Sequence, residues 1–136
     1  MNYIQEAELK SLKDRYMIDS MSSDDETIIN QIELLVIDEV RAYISGKYDA
    51  DYIFEQRDTG RNGVIVRIVL ELMIYYLAKR MSSDEIPEYL TDDYERNIEL
   101  LKDIGFGNLN PSLPLRDAEL EGGITFVGSK PNNFYN

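Results

Sequence analysis

GVIVRIVLELMIYYLAKRM, residues Gly63 to Met81, is the most apolar stretch of the chain, and its reading decides the fold. Read as a helix, it places Arg67, Glu71 and Lys79, with Tyr75, on one narrow stripe at spacings of four. Apolar residues from Val64 to Leu77 fill nearly every other position. A helix apolar round so much of its circumference must be buried on several sides, so this segment is predicted to be central and covered by the rest of the chain. A bilayer span needs ~20 apolar residues in a row. Arg67 and Glu71 break the run, and the piece from Leu72 to Ala78 is too short, so no membrane partner is expected.

Upstream, the spacing predicts two helices that cover this one. Gln5 to about Arg15 carries Leu9 and Leu12 at helical spacing, with Tyr3 and Ile4 ahead of it as an apolar staple. Ser23 followed by Glu26 fits a capping box, and Asp24, Asp25 and Glu26 place negative charge on the positive end of a helix dipole. That second helix runs to Ser45 with Ile28, Ile32, Leu35, Val36, Val40 and Tyr43 as its buried stripe, and Gly46 is its expected left-handed stop. Leu34 and Ile37 fall toward the outer face with Asn30, Glu33 and Arg41, which hints at contact with another subunit.

Lys47 to Gly63 reads as a charged connector rich in turn formers, with Asn62-Gly63 turning the chain into the central helix. Asp58-Thr59-Gly60 is the triplet that carries the carboxylate of aspartic proteases. Here it lies between Glu55-Gln56-Arg57 and Arg61-Asn62-Gly63 rather than after an apolar strand, so a solvated turn is the better reading. Downstream, Ser82 to Glu85 begins a short helical turn, with Pro87 tolerated early. Thr91 or Asp92 is expected to cap a last helix whose stripe is Tyr94, Ile98, Leu101 and Ile104, with Gly105 as its stop.

Asn108 to Asn136 changes character. It holds three of the four prolines and no helical period, and Ile124 to Val127 is its candidate strand. A lone strand beside helices has no partner of its own, so the segment is either a disordered tail, the ordinary state of such a composition, or adds as a strand onto another chain with Phe134 and Tyr135 as anchors. The fold class is therefore mainly α: a small bundle of four to five helices over residues 1–107, with an extended C-terminal arm over 108–136 containing a short β segment.

Composition narrows the chemistry. Among 136 residues there is no cysteine and no histidine, which removes thiol nucleophiles, imidazole or thiolate metal sites and the commonest general base. No cofactor or metal is expected. The Asp24-Asp25-Glu26 cluster is a helix cap rather than a calcium loop, because adjacent helical residues point about 100° apart and no further ligands follow at loop spacing. A net charge of −12 opposes wrapping nucleic acid, which needs cations to displace phosphate counterions. It permits a protein that DNA slides past, or one that imitates DNA. The first residues lack the basic and apolar start of a secretory signal, so a cytosolic origin is expected.

The order of these pieces resembles the head-tail connector (adaptor, head-completion) proteins of long-tailed bacteriophages, in particular the Mu-like connector family. The residues that carry the likeness are Tyr3-Ile4 before Glu8-Leu9, then Ala42-Tyr43-Ile44-Ser45-Gly46-Lys47-Tyr48. Leu70 with Ile74-Tyr75-Tyr76-Leu77 and Lys79-Arg80 continue it, followed by Tyr94-Glu95, Leu100-Leu101-Lys102-Asp103-Ile104 and Gly107-x-Leu109, with Phe134 in the tail. The charged segment from Asp49 to Gly63 and the acidic Asp117 to Gly123 depart from the family's pattern. The resemblance implies a structural virion protein of the portal-neck region with no enzymatic activity. It implies a ring of about a dozen copies under the portal protein, one that prolongs the DNA channel, lets DNA pass without specific binding, and offers a platform to other neck or tail proteins.

On that reading the arm residues Ile124, Phe126, Val127, Phe134 and Tyr135 contact the portal or a neighbour. Ile37, Arg41, Arg67 and Glu71 are the candidate subunit interface, and Glu33, Asp38, Asp92, Asp93 and Glu95 the candidate channel-facing acids. The alternative is an acidic interaction protein or DNA mimic that binds a basic partner. An enzyme using Glu39 and Glu71 as buried acids is the third reading; it lacks the Glu-x-x-His ligands that helical carboxylate sites add. Their ordinary roles would be pairing, Glu71 with Arg67 and Glu39 with Arg41 or a neighbour's base.

Overall fold

The computed structural model describes residues 2–15, 26–81 and 86–116. Over these the chain forms five α-helices: α1 (Glu6–Arg15), α2 (Glu26–Ile44), α3 (Ala50–Glu55), α4 (Gly63–Met81) and α5 (Glu88–Phe106). The class is mainly α, as the periodicity requires. Helix α4 is the centre: it packs against α2, α5 and α1, and Ile65, Ile68, Val69, Leu72, Met73, Ile74 and Leu77 are all essentially inaccessible to solvent. Arg67 and Lys79 are exposed and Glu71 and Tyr75 half-buried, so the polar stripe is the part of α4 that its neighbours leave open. No described helix is long and apolar enough to cross a membrane.

The start of α4 is fixed by Asn62. Its Oδ1 accepts hydrogen bonds from the backbone N–H of Val64 and Ile65 at 3.0 and 3.2 Å, which satisfies two of the donors that a helix N-terminus leaves unpaired. Its amide donates to the Pro111 carbonyl at 2.7 Å, so the same side chain ties the segment after α5 to the entrance of α4.

Helix α2 is rotated from the expected stripe. Its buried residues are Glu33, Val36, Val40 and Ile44, while Leu35 is 51 % exposed and Ile37 is packed against the core. The reason is that α4 and α5 both lie on the Val36–Val40–Ile44 side, and the Tyr3-Ile4 segment closes the same face one turn earlier at Glu33. Gly46 is not a left-handed stop either, since Gly107 is the one described glycine with positive φ. The chain leaves α2 through Lys47 and Tyr48 N–H groups that both donate to the Ile44 carbonyl. The Ser23 capping box lies outside the described residues.

The connector contains structure that its charge concealed. Asp49 accepts from the Tyr52 N–H and starts α3, a short helix that buries Ala50, Ile53 and Phe54 against the core, with Tyr48 fully buried ahead of it. Asp58–Gly60 forms an exposed 3₁₀ turn, the solvated turn expected of it. Asp58 enters at φ 52°, a conformation that Asp tolerates better than most residues, and its side chain accepts from the Gln5 amide at 2.8 Å.

Helix α5 extends beyond both expected ends. It starts at Glu88 after Pro87 and runs through Gly105 to a left-handed cap at Gly107 (φ 84°). There the Asn108 N–H reaches the Asp103 carbonyl and the Gly107 N–H that of Ile104, the pattern of a Schellman ending. Gly105 is glycine for a different reason: a Cβ there would lie 2.2 Å from the Tyr43 carbonyl oxygen of α2. It is the point where α2 and α5 approach backbone to backbone.

After Gly107 the chain folds back onto the body. Leu113 is buried, the Asp49 N–H donates to the Pro114 carbonyl at 2.9 Å, and the Arg116 N–H donates to the Lys47 carbonyl at 3.2 Å. These bonds make an isolated antiparallel bridge between Tyr48 and Leu115. The candidate strand Ile124 to Val127 lies outside the described residues.

One charged group stitches the N-terminal side together. Arg61, with 7 % of its side chain exposed, makes two parallel 2.8 Å hydrogen bonds to the Glu8 carboxylate and also donates to the carbonyls of Tyr3 and Asp58. Glu8 Oε1 in turn accepts from the Gln5 N–H, so it caps its own helix. The Arg61 hydrogen bonds hold the Glu8 carboxyl below its ordinary pKa. A depressed carboxylate contributes stability above its unfolded pKa of 4.5 and loses it as pH falls through the folded value. Glu8→Gln is therefore expected to cost about 1–2 kcal/mol at neutral pH. The variant should also lose stability less steeply than the parent below pH ~4.5, a difference that urea melts at a series of acidic pH values would measure. A parallel acid limb in both proteins would show that the pair contributes nothing.

Candidate interaction surfaces

Three features of the described surface stand apart from an ordinary solvated exterior. The first is the outer face of α2. Gln31, Leu34, Leu35, Asp38 and Ala42 are all exposed and share one helical face, with Leu34 at 60 % and Leu35 at 51 % exposure. The second is a groove of about 540 Å³ between α1 and α4, lined by Ala7, Ser11, Val66 and Leu70, with Glu8, Arg67 and Glu71 among its polar borders. The third is the end of the bundle where α5 stops, with Phe106 at 79 % exposure and Leu109 and Leu115 also well exposed. Apolar side chains gathered this way are what a protein surface presents where another macromolecule sits.

A separate cleft of about 380 Å³ beside α3 is lined by Arg41, Ser45, Tyr48, Asp49, Asp51 and Arg116. Arg41 pairs with Asp51 at 2.6 Å and stacks over the Phe54 ring, so its charge is already engaged.

Among the helices, the half-buried polar groups form a tyrosine-carboxylate cluster. Tyr76 and Tyr94 donate to the two oxygens of Glu39 at 3.0 and 3.3 Å, and the rings of Tyr75 and Tyr94 stack with centroids 4.3 Å apart. Asn97, buried in α5, donates to Glu71 at 2.9 Å and to the Asp93 carbonyl. Burial, reinforced by the neighbouring Tyr94 hydroxyl and by the hydrogen bond to Glu39, pushes the Tyr76 phenol well above its ordinary value of 10.0. Burial is also the main reason the Tyr94 phenol is raised. This cluster holds α2, α4 and α5 together, with each carboxylate occupied by a neutral donor. Among the described residues no group of three or more acidic side chains converges as a metal site would require.

The sequence candidates distribute as follows. Glu33 is not a channel-facing acid. It is 2 % exposed, and its carboxylate accepts the N–H of Asn2 at 2.9 Å, of Tyr3 at 3.1 Å and of Ile4 at 2.8 Å. The sequence carried a signal for this, because Glu33 falls three residues before Val36 and seven before Val40, on the buried stripe. Asp38, Asp92 and Glu95 are exposed, and Asp93, half-buried, accepts from Arg96. Ile37, Arg41, Arg67 and Glu71 are not gathered on one surface. Ile37 packs inward, Arg41 lines the cleft beside α3, and Arg67 and Glu71 border the α1/α4 groove. Glu71 meets Asn97 rather than Arg67, and Glu39 meets two tyrosines rather than Arg41. Ile124, Phe126, Val127, Phe134 and Tyr135 lie outside the described residues. The α1/α4 groove was missed because its walls, Ala7 and Ser11 against Val66 and Leu70, come from segments far apart in sequence.

No curated protein and no solved structure matches the chain. A family model described as Bacteriophage Mu, Gp36 matches residues 1–123, a span that takes in every described helix and all three of these surfaces. The chain thus belongs to the bacteriophage Mu Gp36 family.

Proposed function

We propose that the protein is a structural component of the phage virion, a head-tail connector that forms a ring beneath the portal, prolongs the DNA channel and docks neck or tail components. The observation that carries this reading is the pairing of a phage family match over residues 1–123 with apolar side chains left exposed on separate faces of a rigid helical body. A protein that acts by assembly needs such faces. The net charge of −12, with Asp38, Asp92 and Glu95 on the surface, supports a channel that repels phosphates and lets DNA pass without specific binding. In this role the protein needs no cofactor and catalyses no reaction. Its partners are the portal protein, other neck or tail proteins and further copies of itself, and its place is the portal-neck region of the virion.

Negative-stain imaging of the protein mixed with its phage's portal tests this, alongside the same mixture with residues 118–136 removed. Rings docked on the portal are expected with the full chain, and weaker docking or fewer rings with the shortened one. A protein that ignores the portal and instead competes with DNA for a basic partner would overturn the connector reading and favour the DNA-mimic one.

A further inference from the structure

Two of the three surfaces, the α2 face and the α1/α4 groove, differ in shape. The α2 face is convex, with Leu34 and Leu35 projecting and Asp38 one turn further along. The α1/α4 surface is concave. Ala7 and Ser11 are one turn apart on α1, Val66 and Leu70 one turn apart on α4, and these two pairs wall a groove between the helices with room for an apolar side chain from outside. Two of the four are small, which leaves the hole open rather than filled by its own walls.

Charge matches as well as shape. Arg67 borders the groove, is exposed, and has no ion pair among the described residues; its expected partner Glu71 is taken by Asn97. Asp38 borders the knob and is likewise exposed without an ion pair. In a chain carrying −12 net charge, copies repel one another unless their contact places a cation opposite an anion. Arg67 beside the hole and Asp38 beside the knob supply that arrangement.

We infer that copies of this chain join head to tail, with Leu34 and Leu35 of one seated in the α1/α4 groove of the next and Asp38 paired with that neighbour's Arg67. A knob and a hole on separate faces of one subunit make a heterologous contact, which propagates and closes into a ring when its rotation allows. The inference deepens the connector reading by naming its self-contact, and rests on that reading only for closure into a ring.

The absence of cysteine makes the test clean, because one introduced thiol is the only thiol. Gln31→Cys marks the knob face and Ser11→Cys the groove, both at exposed positions. With a short thiol-specific cross-linker, each variant alone is expected to stay largely uncoupled, the two mixed to give a heterodimer, and the double variant to give a ladder. Coupling of either single variant to itself as efficiently as the mixture would overturn the head-to-tail contact. So would a mixture no more reactive than a Gln31→Cys and Glu95→Cys control pair. Asp38→Arg should weaken self-association by about tenfold or more in sedimentation, because it sets like charges together, and Arg67→Asp in the same chain should restore it. Failure of the swap to restore association would also count against the proposal.

These results separate from those for the connector role. Rings that dock on the portal without knob-to-groove coupling leave that role standing and overturn these faces. Coupled chains that ignore the portal do the reverse.

Discussion

Gly105→Ala is expected to lower the stability of this protein by about 3 kcal/mol, although helix propensity alone favours the substitution by roughly 1 kcal/mol. The two effects oppose each other, and the geometry decides which wins. Gly105 sits inside α5 with no positive φ, so alanine suits its backbone. The new Cβ, however, would lie 2.2 Å from the Tyr43 carbonyl oxygen, a backbone atom that cannot rotate away. Helices α2 and α5 must separate, which loosens the packing of Val40, Ile44, Leu101 and Ile104 between them. Urea denaturation would show a lower midpoint with little change in slope. Gly46→Ala is the control: a Cβ added there would meet nothing within 4 Å and the φ is not positive, so its midpoint should barely move. Equal, small shifts for both variants would mean that the helices adjust without loss.

The second large effect belongs to Glu33. Its carboxylate sits on the buried stripe of α2 and accepts three backbone N–H groups, from Asn2, Tyr3 and Ile4. Those bonds bring the buried Tyr3 and Ile4 side chains against the core, where the Tyr3 ring meets the Phe54 ring edge-on at 5.1 Å. Glu33→Ala leaves the buried N–H groups of Tyr3 and Ile4 unpaired beside an apolar interior, while that of the exposed Asn2 turns to water, and is expected to cost about 3–5 kcal/mol. Glu33→Gln retains the shape but turns an amide NH₂ toward at least one backbone N–H, so a loss of about 2 kcal/mol is expected. Amide hydrogen exchange separates the local effect from a global one. Tyr3 and Ile4 should lose protection in the Gln variant while Leu72 and Met73 keep theirs. Unchanged protection at Tyr3 and Ile4 would show that Glu33 does not hold the segment.

How much of this was legible in the sequence depends on what each residue reports. The bounds of α4 follow from its composition, because a segment apolar on nearly every side has only one stable place in a small domain. The face of α2 was harder. Its apolar residues run almost all round the helix, so periodicity alone could not say whether Leu35 or Ile44 faces inward; the positions of α4 and α5 settle it. Helix α3 was hidden because six residues cannot show a helical period, and the charges around it mimic a loop. Gly105 reads as a stop in sequence, since glycine's two uses, a left-handed φ and a close approach, look alike until the neighbouring helix is in place.

The interaction surfaces show the same division. Exposed Leu34 was expected from its polar neighbours on α2. The groove was not, because its two walls come from residues more than 50 positions apart, and Glu33 was assigned to solvent by its charge rather than by its position on the stripe. Ile124 to Val127 and the aromatic pair Phe134 and Tyr135 remain assigned by sequence alone.

The short bridge between Tyr48 and Leu115 bears on mechanics. Whatever pulls on the chain beyond Arg116 loads the body through the Arg116 to Lys47 and Asp49 to Pro114 hydrogen bonds. Tyr48, fully buried at that point, passes the tension directly to the core beside Ile44, without first peeling back a helix. The attachment is therefore directional: a pull along the segment loads both bonds at once, whereas a pull away from the body opens the Arg116 bond first and the Pro114 bond after it.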